Sequence, residues 1–128
     1  AAPLNLAAYR GRVVYLDFWA SWCGPCKQSF PWMQSMNDTY ARRGLVVLAV
    51  DLDRHKHNAA RFLAAFKPDF HILYDPSGSL AARYKVQGMP TSLVIDRQGK
   101  VRYRHIGFMP ADADHYERQV ETLLAKKK

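Results

Sequence analysis

The 128-residue chain is poor in acids and cysteines and has no long apolar run, and each shortage narrows what it can be. No apolar stretch approaches the roughly 18–20 residues of a membrane-spanning helix, so no span is expected within it. Repeats, low-complexity segments and linker-like stretches are absent, which leaves one domain over residues 1–128. Asp and Glu number 11 against 19 Lys and Arg, giving a formal charge of +8. The basic residues are scattered and do not alternate with aromatics as in a nucleic-acid module, so no nucleic-acid partner is expected. They read as a solvated basic surface that favours acidic partners or anionic membrane surfaces. Lys126 to Lys128 suit a helix C-terminus, where cations oppose the dipole. No methionine precedes Ala1-Ala2-Pro3, and small residues there are compatible with a cleaved export signal or an anchor outside this sequence. There are only two cysteines, Cys23 and Cys26, separated by two residues.

A 48% apolar fraction with 12% aromatics fits a globular chain, and the pattern of apolar positions gives its order. Residues 1–10 read as a weakly packed lead-in, and Gly11-Arg12 as a turn. Val13 to Trp19 reads as a buried strand. A helix follows over about 25–43, with Phe30, Met33, Met36 or Asn37, and Tyr40 as its inward stripe, a kink at Pro31 and a stop at Gly44. Leu45 to Val50 is nearly all apolar, as in a strand covered on both faces of a parallel sheet. Residues 51–57 read as polar loop. Ala59–Phe66 reads as a helix with Phe62, Leu63 and Phe66 on one side, His71–Tyr74 as a strand, and Leu80–Tyr84 as a short helix. Strands over 92–96 and 100–106 flank the hairpin signal Arg97-Gln98-Gly99. A last helix carries Tyr116, Val120, Leu123 and Leu124 on its apolar face. The expected fold class is α/β, a mixed central sheet flanked by helices.

The cysteines stand where the first strand gives way to the first helix. A thiol there meets unpaired backbone N–H groups and the positive end of a helix dipole, both of which favour a thiolate. Cys-x-x-C alone admits redox or metal chemistry. Asp17 is a carboxylate inside an apolar strand; burial raises an acid's pKa, and such an acid beside Cys26 can take and return its proton. Of the histidines, His55 and His57 form an H-x-H pair in a polar loop, which reads as solvated, and no metal site is assigned.

The run Phe18-Trp19-Ala20-Ser21-Trp22-Cys23-Gly24-Pro25-Cys26-Lys27, followed by Gly88-Met89-Pro90-Thr91, resembles the thioredoxin superfamily. An acid six residues before the first cysteine and a proline five after the second complete the likeness. The stretch from Cys26 to Pro90 is longer than in plain thioredoxins, and the surplus, around residues 54–80, reads as an extra helix and strand. That insert, with Asp75-Pro76-Ser77-Gly78 and Val94 to Val101, is similar to the TlpA/ResA-like, redoxin-type group of exported bacterial thiol-disulfide oxidoreductases. The chain departs from that group in places. Many members carry Asn where Asp17 stands, and cytochrome-maturation members place Glu where Arg54 or Thr91-Ser92 lie.

The resemblance implies a thioredoxin fold and a protein disulfide reductase. Cys23 is then the nucleophile and Cys26 the resolving thiol, with Gly24 and Pro25 tuning the potential toward reduction. Pro90 carries a cis bond opposite the cysteines, and Met89, Pro90 and Thr91 meet the substrate chain. Trp22, with Trp32 and Phe108, forms an apolar docking rim, while Trp19 is core. The redox-active disulfide is the only cofactor implied. Partners would be disulfide-bearing proteins and an upstream thiol reductant, acting on a monomer in the periplasm or another exported compartment, with the cytoplasm as the alternative. Two other readings stay open: a Cu(I) carrier using both thiolates, and a disulfide oxidase or isomerase of the same fold.

Overall fold

The computed structural model describes residues 4–126. Its sheet has five strands in the order β3-β2-β1-β4-β5. β1 (Val13–Trp19) and β2 (Leu45–Asp51) run parallel, joined by α1 (Gly24–Tyr40). β3 (His71–Tyr74) adds to β2 in parallel after α2 (His57–Phe66). A short α3 (Ser79–Arg83) then leads to β4 (Thr91–Ile95), which pairs antiparallel with β1 and with β5 (Val101–Ile106). The chain closes through a 3₁₀ turn, Pro110–Asp112, into α4 (Ala113–Ala125).

Burial follows the strand order. Every residue of β1, β2 and β4 is buried, because each has a strand on either side and layers on both faces; of the edge strands, β3 is mostly half-buried and β5 mostly exposed. Alternation along β1 divides the core. Val13, Tyr15 and Trp19 face α1, α2 and α4, while Val14, Leu16 and Phe18 face Leu80, Ala81 and the N-terminal segment.

The expected insert is present as α2 and β3. It is tied to the cysteine-bearing helix by aromatic contacts. The Phe30 ring lies 5.1, 5.6 and 5.3 Å from those of Phe62, Phe66 and Phe70, and 4.7 Å from Trp19. Such pairs contribute about 0.5–1.5 kcal/mol each beyond their buried area.

Several boundaries differ from the sequence expectations. α1 ends at Tyr40, and residues 41–43 tighten into a 3₁₀ turn before left-handed Gly44 (φ 112°). It runs on through Pro31, whose exposed position leaves the buried stripe of Phe30, Met33, Met36 and Tyr40 intact; Asn37 is not part of it. Residues 4–9 are not a loose lead-in. Asn5 caps a 3₁₀ turn over Leu6–Tyr9, and Leu4, Leu6 and Tyr9 pack on the second core face. Asp51 is not loop but the last residue of β2, paired with Trp19. Lys126 lies just past the end of α4, and Lys127 and Lys128 lie outside the described residues.

Arg97, read only as a turn residue, locks this end of the molecule together. Its guanidinium donates to the carbonyls of Gly11, Arg43, Leu124 and Lys126 at 2.7–3.2 Å, joining four separate segments.

Candidate active site

The buried strand β1 delivers a short loop, and the loop delivers Cys23. The Cys23 N–H donates to the Ala20 carbonyl at 3.1 Å, which fixes the approach. Cys23 is not the first helical residue but the N-cap of α1, with extended backbone (φ −99°, ψ 109°). Its Sγ accepts the N–H of Cys26 at 3.3 Å, a backbone donor that helix geometry leaves free. The sulfurs are joined as a disulfide, with Cα atoms 5.3 Å apart. Cys23 keeps 6% of its surface exposed, whereas Cys26 has none. Pro25 occupies the first turn, where a missing N–H costs nothing, and that turn holds no acid to oppose a thiolate. A Cβ added at Gly24 would meet nothing within 4 Å, so the face in front of the sulfurs is open.

Across from the sulfurs runs the Gly88–Pro90 segment, whose Met89–Pro90 bond is cis. Between the two lies a groove of about 540 Å³, bounded by Trp22, Cys23 and Pro25 on one side and Val86 and Met89 on the other. Trp22 is 72% exposed at its lip. Thr91, expected to meet substrate, is fully buried, and its hydroxyl donates to the Gly88 carbonyl; its side chain shapes the segment rather than lining the groove. Trp32 and Phe108, expected on the rim, pack inward instead. Their rings sit 5.7 Å apart in a cluster with Tyr15 and Tyr116 under α1 and α4. The exposed apolar side chains near the groove are Trp22 and Ile106. Ile106 Cγ2 would lie 3.3 Å from a Cβ on Gly88, so it abuts the proline segment. Sequence reading passed over Ile106 because nothing in an alternating strand marks which residue ends beside a loop from elsewhere.

Asp17 lies on the Cys26 side of β1, between Tyr15 and Trp19, and is 2% exposed. Its Oδ2 has no hydrogen-bond partner among the described residues, and burial pushes its pKa well above the usual carboxylate range. On this face the protonated carboxyl can donate a proton to a sulfur that leaves, and its carboxylate can take one from a thiol that must attack.

A second acid pair was missed. Asp53 accepts the Ser21 N–H and the Ser21 hydroxyl, both at 2.9 Å, and so pins the loop two residues ahead of Cys23. Asp51 in turn accepts the Asp53 N–H at 3.1 Å. Burial raises the Asp51 pKa, and the neighbouring Asp53 carboxylate adds to the rise. Asp53 sits below its ordinary value because the hydrogen bonds from Asp51 and Ser21 outweigh its burial. The D-x-D spacing at the end of β2 was the available signal, hidden by reading both acids as solvated loop. His55 and His57, whose rings lie 5.6 Å apart, stay exposed, and among the described residues no three His, Cys, Asp or Glu gather as a metal site. No described helix is long and apolar enough to cross a membrane.

Comparison with known proteins agrees with this geometry. The Redoxin family model matches residues 1–124. A thiol-disulfide oxidoreductase ResA from Geobacillus thermodenitrificans is 36% identical over 98 residues, which are 77% of this chain and 56% of that protein. ResA from Geobacillus kaustophilus is 32% identical over 119 residues, 93% of this chain and 67% of that protein. The chain thus spans a little over half to two thirds of the length of these relatives. A solved Chlorobium tepidum structure, described as a thiol:disulfide interchange protein DsbE, is 50% identical. It superposes with a TM-score of 0.91 over 93% of this chain and 84% of its own. The five-stranded mixed sheet and its flanking helices are a thioredoxin-like fold.

Proposed function

The chain belongs to the Redoxin family, in its TlpA/ResA-like branch, and from that premise we propose that it is a protein disulfide reductase acting as one thioredoxin-like domain. The observation that carries this is a Cys pair split by burial across a helix N-terminus, facing an open groove. In the reduced protein Cys23 attacks a substrate disulfide, forming a mixed disulfide and releasing one substrate thiolate, which takes a proton. Cys26, deprotonated by Asp17, then attacks Cys23 Sγ, closes the Cys23–Cys26 bond and frees the second substrate thiolate. Two electrons leave the dithiol and reduce the substrate bond, and an upstream thiol reductant restores the pair.

Lowering the Cys23 pKa from about 8.5 to about 7 needs roughly 2 kcal/mol of preference for the thiolate. The helix end offers about 0.3–2 kcal/mol, and the Cys26 N–H at Sγ adds to it, so no lysine is required. Gly24-Pro25 supports the reducing direction through the resemblance stated above. Trp22 and the Met89 main chain hold an extended substrate segment along the groove, with Ile106 widening the apolar rim. An exported bacterial compartment is part of this reading.

Insulin disulfide reduction tests the activity, and the midpoint potential tests its direction. Cys26→Ala should trap substrate on Cys23 in non-reducing mass spectrometry, while Cys23→Ala should not. Equal trapping by both variants, or a potential in the strong-oxidant range, would overturn the assignment.

A further inference from the structure

The loop that carries Cys23 is held from β2 by two acids that the thiol chemistry above does not use. Asp53 accepts the Ser21 N–H and the Ser21 hydroxyl, both at 2.9 Å. Asp51, the last residue of β2, accepts the Asp53 N–H on Oδ1 at 3.1 Å. Both acids are buried, so water screens neither.

Such a pair cannot easily hold two charges. The carboxyls lie within hydrogen-bonding reach of each other. Among the described residues only the Asp53 N–H donates to the Asp51 carboxyl, and Asp51 Oδ2 is buried without a partner. No cation bridges either acid among the described residues, where the one ion pair joins Arg102 to Asp96. Around Asp51 stand Trp19 on β1, Tyr74 opposite it on β3, and Asp75, whose carboxylate is taken up by the N–H groups of Leu80 and Ala81. Lys56, ahead of α2, lies over the Tyr74 ring at 4.5 Å. A proton on Asp51 supplies the missing donor. Asp51 then donates to Asp53, and Asp53 stays a carboxylate, the form best suited to accept both bonds from Ser21. Burial first, and hydrogen bonding to Asp53 second, push the Asp51 carboxyl up to about 7. Asp53 is held below its ordinary value, against its burial, by the bonds from Asp51 and Ser21.

Resting on the reading of Cys23 as the attacking thiol, we propose that Asp51 is a positioning residue for Cys23, acting through Asp53 and Ser21 as a pH-sensitive clamp. With its proton, Asp51 completes the chain Asp51–Asp53–Ser21 and fixes the loop two residues ahead of Cys23. When the proton leaves, two adjacent buried carboxylates repel, the turn over residues 51–53 opens to water, and Ser21 is released. The clamp therefore works against reduction as pH rises through neutrality.

The test follows the Ser21 amide by ¹H–¹⁵N NMR across neutral pH in the oxidised protein, where the cysteines are bonded and do not titrate. One inflection near pH 7 is expected, with faster amide exchange above it. Asp51→Asn keeps the shape of the side chain, can donate to Asp53 at every pH, and should remove the inflection. Ser21→Ala takes one donor from the doubly charged pair, so the inflection, read at the Asp53 amide, should rise by roughly half to one pKa unit. In insulin reduction, kcat/KM of the wild type relative to Asp51→Asn should fall roughly fivefold as pH rises through neutrality, the worth of one hydrogen bond. A merely structural role would leave that ratio independent of pH, and a level ratio overturns the positioning role. A Ser21 amide with no inflection near neutral pH, or an inflection that survives Asp51→Asn, overturns the clamp itself. The NMR readings need no turnover. A clamp that titrates in a protein unable to reduce insulin would sink the reductase reading alone, and an active reductase with a flat Ser21 signal would sink the clamp alone.

Discussion

Asp17→Asn should stabilise the oxidised protein, and by an amount that grows with pH. The carboxyl is buried, one oxygen has no partner, and its pKa in the fold is raised well above the ordinary value of 3.8. Between the unfolded and folded midpoints the native state therefore holds a proton that the unfolded state has lost. Stability conferred by the protonated form is fully present below the unfolded midpoint. It declines as pH rises, by about 1.4 kcal/mol per pH unit, until the folded midpoint is reached. Asn carries no such proton. The two proteins should match most closely near pH 4, and the variant should gain about 1.4 kcal/mol per unit above that. Using the disulfide form removes the thiols from the balance, and Asp51, raised in the same direction, contributes equally to both proteins. Urea unfolding at pH 4, 5 and 6 reads the difference directly. A gap of constant size across that range would refute the argument, because it would mean that Asp17 titrates alike in both states.

Three further outcomes follow from the geometry. Asp53→Ala strips Ser21 of both its side-chain acceptors and should cost about 2–3 kcal/mol in urea unfolding, with a slower insulin reduction as the loop ahead of Cys23 loosens. Trp22→Ala, at a side chain 72% exposed, should change stability by less than about 0.5 kcal/mol yet raise KM for protein disulfides while leaving reduction by dithiothreitol unchanged. An equal effect on both reactions would remove Trp22 from docking. Arg97→Met removes the donor that four carbonyls share and should lower stability by about 2 kcal/mol, with faster amide exchange around Gly11 and the end of α4.

The local chemistry of the site was legible from the chain alone. Cys23 and Cys26 at a strand-to-helix junction and the acid within an apolar strand are short-range patterns that period and composition report directly, while Gly88-Met89-Pro90-Thr91 stood out only through its resemblance to the thioredoxin superfamily. Two central strands, β1 and β2, were readable because burial on both faces forces long apolar runs, and β4 through the turn signal that follows it. What the sequence left open depended on neighbours far apart in the chain. Trp32 and Phe108 turned inward because α1 and α4 meet over Tyr15 and Tyr116, a packing no single segment encodes. Asp51 and Asp53 look like loop acids until β2 sets them against Trp19 and Ser21. The row of Asp17, Ser92 and His105 exists only through strand register, which brings an aspartate, a serine and a histidine from three strands to adjacent places and sets Ser92 Oγ 3.0 Å from His105 Nδ1. Sequence thus fixes which groups can react, while the pairing of strands decides which of them can hold or release a proton beside the sulfur.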